Sequence, residues 1–166
     1  MFMSKVFSFG LLLVTLSMGC QRASDTAQIS VEEIWSRPVM VSHDGDAGMM
    51  ADSGMAKMHH SGSNGVVYLV IQNRGGAADR LLRARAEVCE TTELHETIMD
   101  GDRMMMQPVE NGIEIPAQSS AKLEPRGRHL MLIGLKRSLA VGDSVELHLD
   151  FEKSGTKTVF SAVRQP

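Results

Sequence analysis

The chain has 166 residues, a formal charge of −3 that becomes −4 once Lys5 leaves with the leader described below, and only 4% aromatic residues. That length supports one domain with a proper core rather than two, and the absence of a cationic surplus argues against a nucleic-acid partner. Of the 13 Met, every one beyond the first twenty residues lies between Met40 and Met131. Methionine serving only as core filler would be spread more evenly.

Residues 1–19 read as an export leader: one Lys, an apolar run from Val6 to Leu16, then small residues, too short to span a bilayer as a stable helix. Gly19-Cys20 resembles a bacterial lipoprotein processing site, which implies that Cys20 becomes the lipidated first residue of the mature chain. Gln21 after it favours sorting to the outer membrane of a Gram-negative envelope, facing the periplasm. An ordinary secretory leader cut elsewhere would export the same domain. With Cys20 given to lipid, Cys89 has no intramolecular disulfide partner and reads as a small buried hydrophobe. Few Cys beside many Met suits an oxidising compartment, where thiolates are the more vulnerable ligands.

Residues 20–28 form a polar tether, and 29–166 the domain proper. From Ile29 to Trp35 the side chains alternate as in a strand, which Pro38 ends. Residues 40–63 are an insertion with neither a 2.0 nor a 3.6 period, rich in Gly and Ser and holding Met40, His43, Met49, Met50, Met55, Met58, His59 and His60. Eight candidate ligands within 21 residues is a composition that gathers soft or borderline metals, Cu(I) through Met and also Cu(II) through the His. Gly65–Gln72 is a β-branched run expected as a central strand, and 80–86 and 88–96 are further extended segments. A three-residue loop at Glu110-Asn111-Gly112, with Gly112 left-handed, would pair Val109 with Ile113 and Met105 with Ala117. That register places Val109, Ile113, Ile115 and Met105 inward and turns Met104 and Met106 to the other face, so one of the latter two is the available ligand. After a turn at 124–127, alternation sets His129 and Met131 on one face and Leu130 and Leu132 on the other. Val145 to Phe151 is a half-buried strand with His148 on its polar, solvent-facing side, and a last strand covers 158–163. The fold class expected is all-β, a sandwich of about seven to eight strands.

His95, ten intervening residues, Met106, twenty-two more, then His129-x-Met131 resembles the ligand motif of the PCuAC family of periplasmic copper chaperones. The text around it agrees: Glu93-Leu94-His95-Glu96-Thr97, Met99-Asp100-Gly101, Met106-Gln107-Pro108-Val109, Ile113-Glu114-Ile115-Pro116 and His129-Leu130-Met131-Leu132. Earlier, Trp35-Ser36-Arg37, Tyr68 to Asn73 and Asp79-Arg80-Leu81 are similar too, while the 40–63 insertion replaces a shorter connection. The resemblance implies a cupredoxin-like Greek-key sandwich binding one Cu(I) through His95, Met106, His129 and Met131; Met104, offered by the strand register, is kept as an auxiliary candidate. It also implies delivery to a copper-accepting subunit of a respiratory oxidase or to another copper chaperone. Neutral thioether and imidazole donors favour Cu(I) and leave its charge uncompensated, so the ion can be released to a better donor set. Sequestration of several copper or silver ions in the envelope is the main alternative, and a purely structural lipoprotein a lesser one. A blue-copper carrier needs a Cys thiolate clustered with its other ligands, and Cys89 precedes His95 by six residues. An enzyme is not expected, since no nucleophile triad, acidic dyad or phosphate loop appears at a useful spacing.

Overall fold

Alternating apolar and polar residues build nearly every element of the computed structural model, which describes residues 25–41 and 63–166. Ten strands follow in order: β1 (Ile29–Ser36), β2 (Gly65–Asn73), β3 (Asp79–Arg85), β4 (Cys89–Asp100), β5 (Arg103–Pro108), β6 (Ile113–Ile115), β7 (Ser119–Leu123), β8 (Arg128–Leu135), β9 (Ser144–Phe151) and β10 (Gly155–Val163). The number exceeds the expected seven or eight chiefly because short β6 and β7 stand as separate strands.

The hydrogen-bonded path runs β5-β4-β8-β2-β1-β10-β9-β3-β6, with β7 bonded to the second half of β2. Its two halves fold over one another: Val67, Leu69 and Ile71 of β2 and Leu130 and Leu132 of β8 join Leu81 of β3 and Leu147 and Leu149 of β9 in one buried cluster. The fold is an all-β, cupredoxin-like sandwich. Burying a Leu or Ile side chain contributes about 1.5–3 kcal/mol, so the inner faces of β2, β8 and β9 hold the frame on which the outer face can carry polar chemistry.

Two local expectations change. The strand β1 bulges between Glu32 and Trp35, with Glu33 at φ 52, so simple alternation fails there and Trp35 comes opposite Tyr68 with ring centroids 4.7 Å apart. The larger change concerns the hairpin expected at Asn111-Gly112. Gly112 is left-handed as expected (φ 68), but β5 does not pair with β6. Instead β5 folds back on β4, with Asp100 opposite Arg103 and Met99 opposite Met104, while β6 crosses to β3, with Ile113 opposite Leu81. Ile113 and Ile115 are core as expected and Val109 packs against them, but Met105, expected inward, is exposed on an edge strand that overhangs the core.

Carboxylates fasten the end of the sandwich away from β5. Burial pushes the Asp79 carboxyl up, yet the Ser154 hydroxyl and the backbone amides of Lys153, Arg80 and Ser154 outweigh it and hold the group below its ordinary value. On β9, Asp150 accepts from Arg83 Nε at 2.8 Å, Thr156 Oγ1 at 2.7 Å and Arg85 at 3.1 Å, joining β3 to β9 and β10.

Candidate metal centre

The strand β4 is long enough to serve two neighbours. Its first part pairs with β8 as far as Glu96 opposite Arg128, and its second part pairs with β5 from His95 onward. His95 therefore lies in both ladders, directly opposite His129 on one side and Pro108 on the other. The two imidazole centroids are 6.0 Å apart and tilted by 57°. Leu94 and Leu130, their chain neighbours, are opposed on the buried side, so both His project from the outer face. They are nonetheless recessed: His129 is 3% exposed and the His95 side chain 15%.

Each ring is held by one nitrogen. His129 Nδ1 lies 3.0 Å from the Gly127 carbonyl oxygen, which can only accept, so Nδ1 carries the proton and Nε2 offers its lone pair. His95 Nε2 lies 2.8 Å from Glu93 Oε2; with the carboxylate accepting, Nε2 carries the proton and Nδ1 offers its lone pair. Those two outward-offered atoms, His95 Nδ1 and His129 Nε2, are buried and have no hydrogen-bond partner. Burying a polar atom without a partner costs about 1–3 kcal/mol, a cost that coordination to a metal would remove. Outer partners of this kind fix tautomer and ring orientation in metal sites. Among the described residues no three His, Cys, Asp or Glu side chains converge there, and the other soft donors beside the pair are thioether sulfurs.

Methionines lie around this pair. Met131 follows His129 on the same face of β8, opposite Glu93, and is half-buried. Met106 stands opposite Thr97 and Met104 opposite Met99, which sets both on the His face of the β4–β5 hairpin, with Met105 on the reverse. Met104 and Met106 thus share the face opposite Met105 as expected, through pairing with β4 rather than β6, while the inward placement expected of Met105 is not found. Met106 is one strand across and one step diagonal from His95, 59% exposed, on the opposite side of the His pair from Met131. Met40 is exposed near the far end of β8, and its carbonyl accepts from Ser63 Oγ at 3.0 Å. His43, Met49, Met50, Met55, Met58, His59, His60 and Cys20 lie outside the described residues.

The other candidates stand apart. Cys89 is buried at the start of β4, across from Leu135, with Sγ 3.4 Å from Thr92 Oγ1, so its thiol does not reach the His pair. His148 is half-buried and bonded to Thr158 Oγ1 at 3.0 Å, and it borders a cleft of about 420 Å³ with Glu87, Lys136 and Glu146 that includes none of the four ligand candidates. Sequence reasoning missed the parts played by Glu93 and Gly127. The signal for the first was Glu93-x-His95, since i and i+2 of a strand share a face.

In architecture the chain is similar to PCuAC domains. The chain is similar to the "Apo PCuAC domain from PmoF1" (TM-score 0.60, 24% identity, covering 87% of this chain and 100% of that one) and the "Copper-bound PCuAC domain from PmoF2" (0.57, 22%, 87% and 96%). It is also similar to apo-DR1885 from Deinococcus radiodurans (0.55, 20%, 99% and 97%), and at such identities these likenesses speak for the fold. A family model described as "lipoprotein LpqE-like" matches residues 29–163, and the chain belongs to the LpqE-like family. A relative named as lipoprotein Lxx21020, from Leifsonia xyli subsp. xyli, is 32% identical over 94 residues, a match that spans 57% of this chain and 57% of that relative.

Proposed function

We propose that this protein is a copper carrier of the bacterial envelope that binds Cu(I) through His95, Met106, His129 and Met131 and passes it to a copper-accepting protein, such as an oxidase subunit or another chaperone. The observation that carries the reading is the pair of opposed imidazoles, each fixed by one nitrogen and offering the other, buried and unpartnered, toward a face that bears methionines. The structural neighbours named for copper-bound and Cu(I)-bound states support the choice of metal. Two neutral imidazoles with thioethers suit Cu(I), which tolerates low coordination and soft donors. The recessed His pair would hold the ion while exposed Met106 leaves one side accessible to an incoming ligand. Lipidation at Cys20, with 1–19 removed and 20–28 as tether, would confine the 29–166 domain to the membrane surface, in keeping with the name of its family.

Anaerobic titration of the full chain against a competing Cu(I) chelator tests this. His129→Ala and Met131→Ala should each lower affinity by more than the roughly 10–100-fold typical of losing only an outer partner, with the fold retained. Unchanged affinity in both variants sinks the site. A second reading, sequestration of several copper or silver ions, is favoured by the ligand-rich 40–63 stretch. Stoichiometry separates the two: one ion per chain fits a carrier, several fit storage.

A further inference from the structure

The hairpin that carries Met106 extends beyond the edge of β8. Glu96 is the last β4 residue in register with that strand, Thr97 N donates to the Gly127 carbonyl at 3.2 Å, and from there to Asp100 the β4 residues pair only with β5. On this projecting tip Met99 stands directly opposite Met104, and Thr97 directly opposite Met106. Residues two apart on a strand share a face, so Met99 and Thr97 of β4 and Met104 and Met106 of β5 are the four corners of one rectangle. Its short edges span about 5 Å between Cβ atoms and its long edges about 7 Å. Three corners are thioethers on unbranched side chains with three rotatable bonds, enough reach for the sulfurs to meet at one ion.

All three are strongly exposed, Met99 at 64%, Met104 at 56% and Met106 at 59%. No core packing explains them; Met105 is also exposed, on the reverse face, but these three stand together on the face that bears the His pair. Because the rectangle offers no carboxylate, thiolate or imidazole, it discriminates against Zn²⁺, Ca²⁺ and Mg²⁺ and favours a soft monovalent ion. Asp100 and Asp102 at the turn outweigh Arg103 and leave the tip net negative, which raises the local concentration of cations.

We propose that Met99, Met104 and Met106 form a surface capture site for Cu(I) or Ag(I), distinct from the His centre and joined to it by Met106. An ion held there passes inward by ligand exchange. The bonds to Met99 and Met104 sulfur break, bonds to His95 Nδ1 and His129 Nε2 form, Met106 remains coordinated, and the metal keeps its oxidation state. This hand-over rests on the His centre being the destination; the capture site itself does not.

The test uses the full chain labelled with ¹³C at the methionine ε-methyl groups and titrated with Ag(I), a diamagnetic soft ion, while His ring protons are followed in the same samples. Signals are assigned from the single variants Met99→Ile, Met104→Ile and Met106→Ile, which keep apolar bulk and strand preference but lack sulfur. Ag(I) should shift the Met99, Met104 and Met106 methyl signals together, whereas Met99 and Met104 signals that stay in place through excess Ag(I) overturn the site. In the double variant M99I/M104I the His95 and His129 signals should still respond to Cu(I), but stopped-flow loading should slow several-fold. An unchanged loading rate overturns the hand-over. Silent His signals in the wild-type chain would instead remove the His centre, and the methyl shifts would still decide the capture site.

Discussion

Glu93 is the residue whose role is clearest from geometry alone. It lies on the half-buried outer face of β4, opposite Met131, and its carboxylate holds His95 Nε2 at 2.8 Å. Without that acceptor the ring can turn or change tautomer, and His95 Nδ1 no longer faces the metal in its unprotonated form. Glu93→Ala should therefore lower Cu(I) affinity about 10–100-fold, the range for an outer partner, while the thermal midpoint moves by only a few degrees. Glu93→Gln retains a carbonyl oxygen that accepts the same hydrogen bond and should recover much of the loss. Equal losses in both variants, measured by chelator competition, would mean that charge rather than orientation is what Glu93 supplies. At this scale the sequence was legible where alternation alone decides, as for His129 and Met131 beside buried Leu130 and Leu132. It was not legible for Gly127, whose carbonyl meets His129 only because the 124–127 turn closes with Gly127 N donating to the Glu124 carbonyl at 3.0 Å.

Among the elements, the hairpin closes at a turn that the sequence reading did not single out, rather than at the expected Asn111-Gly112. Asp100-Gly101-Asp102-Arg103 closes β4 onto β5 through a two-residue loop with Gly101 at φ 60, a positive φ at the first central position that glycine supplies at no steric cost. Asn111-Gly112 instead ends a crossover between sheet edges. The apolar pattern could not separate these outcomes, since Met104, Met105 and Met106 read equally well inward or outward. Gly112 is nevertheless indispensable where it stands: a Cβ there would sit 2.3 Å from the Leu81 carbonyl oxygen, at a φ of 68 that L side chains rarely adopt. Gly112→Ala should cost about 2–4 kcal/mol, read as a lower urea midpoint with the slope unchanged. Across β3, β9 and β10 a charge does comparable work. Hydrogen bonds from Arg83 first, then from Thr156 and Arg85, lower the Asp150 carboxyl from 3.8 to about 2. A depressed folded-state value means that the stabilisation is fully present above about pH 4 and is lost as the pH falls from there toward 2. Asp150→Asn should lower stability by about 1–2 kcal/mol at neutral pH, the lower part of the range for charged hydrogen bonds because Arg83 and Arg85 are solvent-exposed. The gap from the parent chain should narrow to a small fraction near pH 2 and close below it, and a gap of constant size across that interval would assign the effect to packing instead.

For the whole molecule, the decisive relation is between the His pair and the stretch 42–62, which leaves and re-enters the sandwich at neighbouring points. Ser63 Oγ donates to the Met40 carbonyl at 3.0 Å, Leu135 N donates to the Ser63 carbonyl at 3.0 Å, and Val41 N donates to Ser138 Oγ at 3.0 Å. Both anchors therefore sit at the C-terminal end of β8, whereas His129 is near its start, six residues or about 20 Å away. A fully extended chain covers at most about 3.3–3.6 Å per residue, so His59 and His60 reach only about 10–15 Å from Ser63, and His43 about 7 Å from Val41. With side-chain length added His43 still falls short of the pair, while His59 and His60, and Met49, Met50 and Met55, which lie eight or nine residues from an anchor and reach about 27–30 Å, can meet it. Exchanging residues 42–62 for a two-residue Gly linker should leave the thermal midpoint within a few degrees, because the pinned ends need no loop to hold them and shortening a loop changes closure entropy only slowly. If the stretch feeds the His centre, the Met49, Met50 and Met55 triple Ile variant should slow Cu(I) loading as much as the deletion does. His43→Ala should leave loading untouched, because that side chain cannot reach the pair from Val41. Slowed loading in the His43 variant, followed by stopped flow, would contradict the reach limit and place transfer on a route other than direct contact.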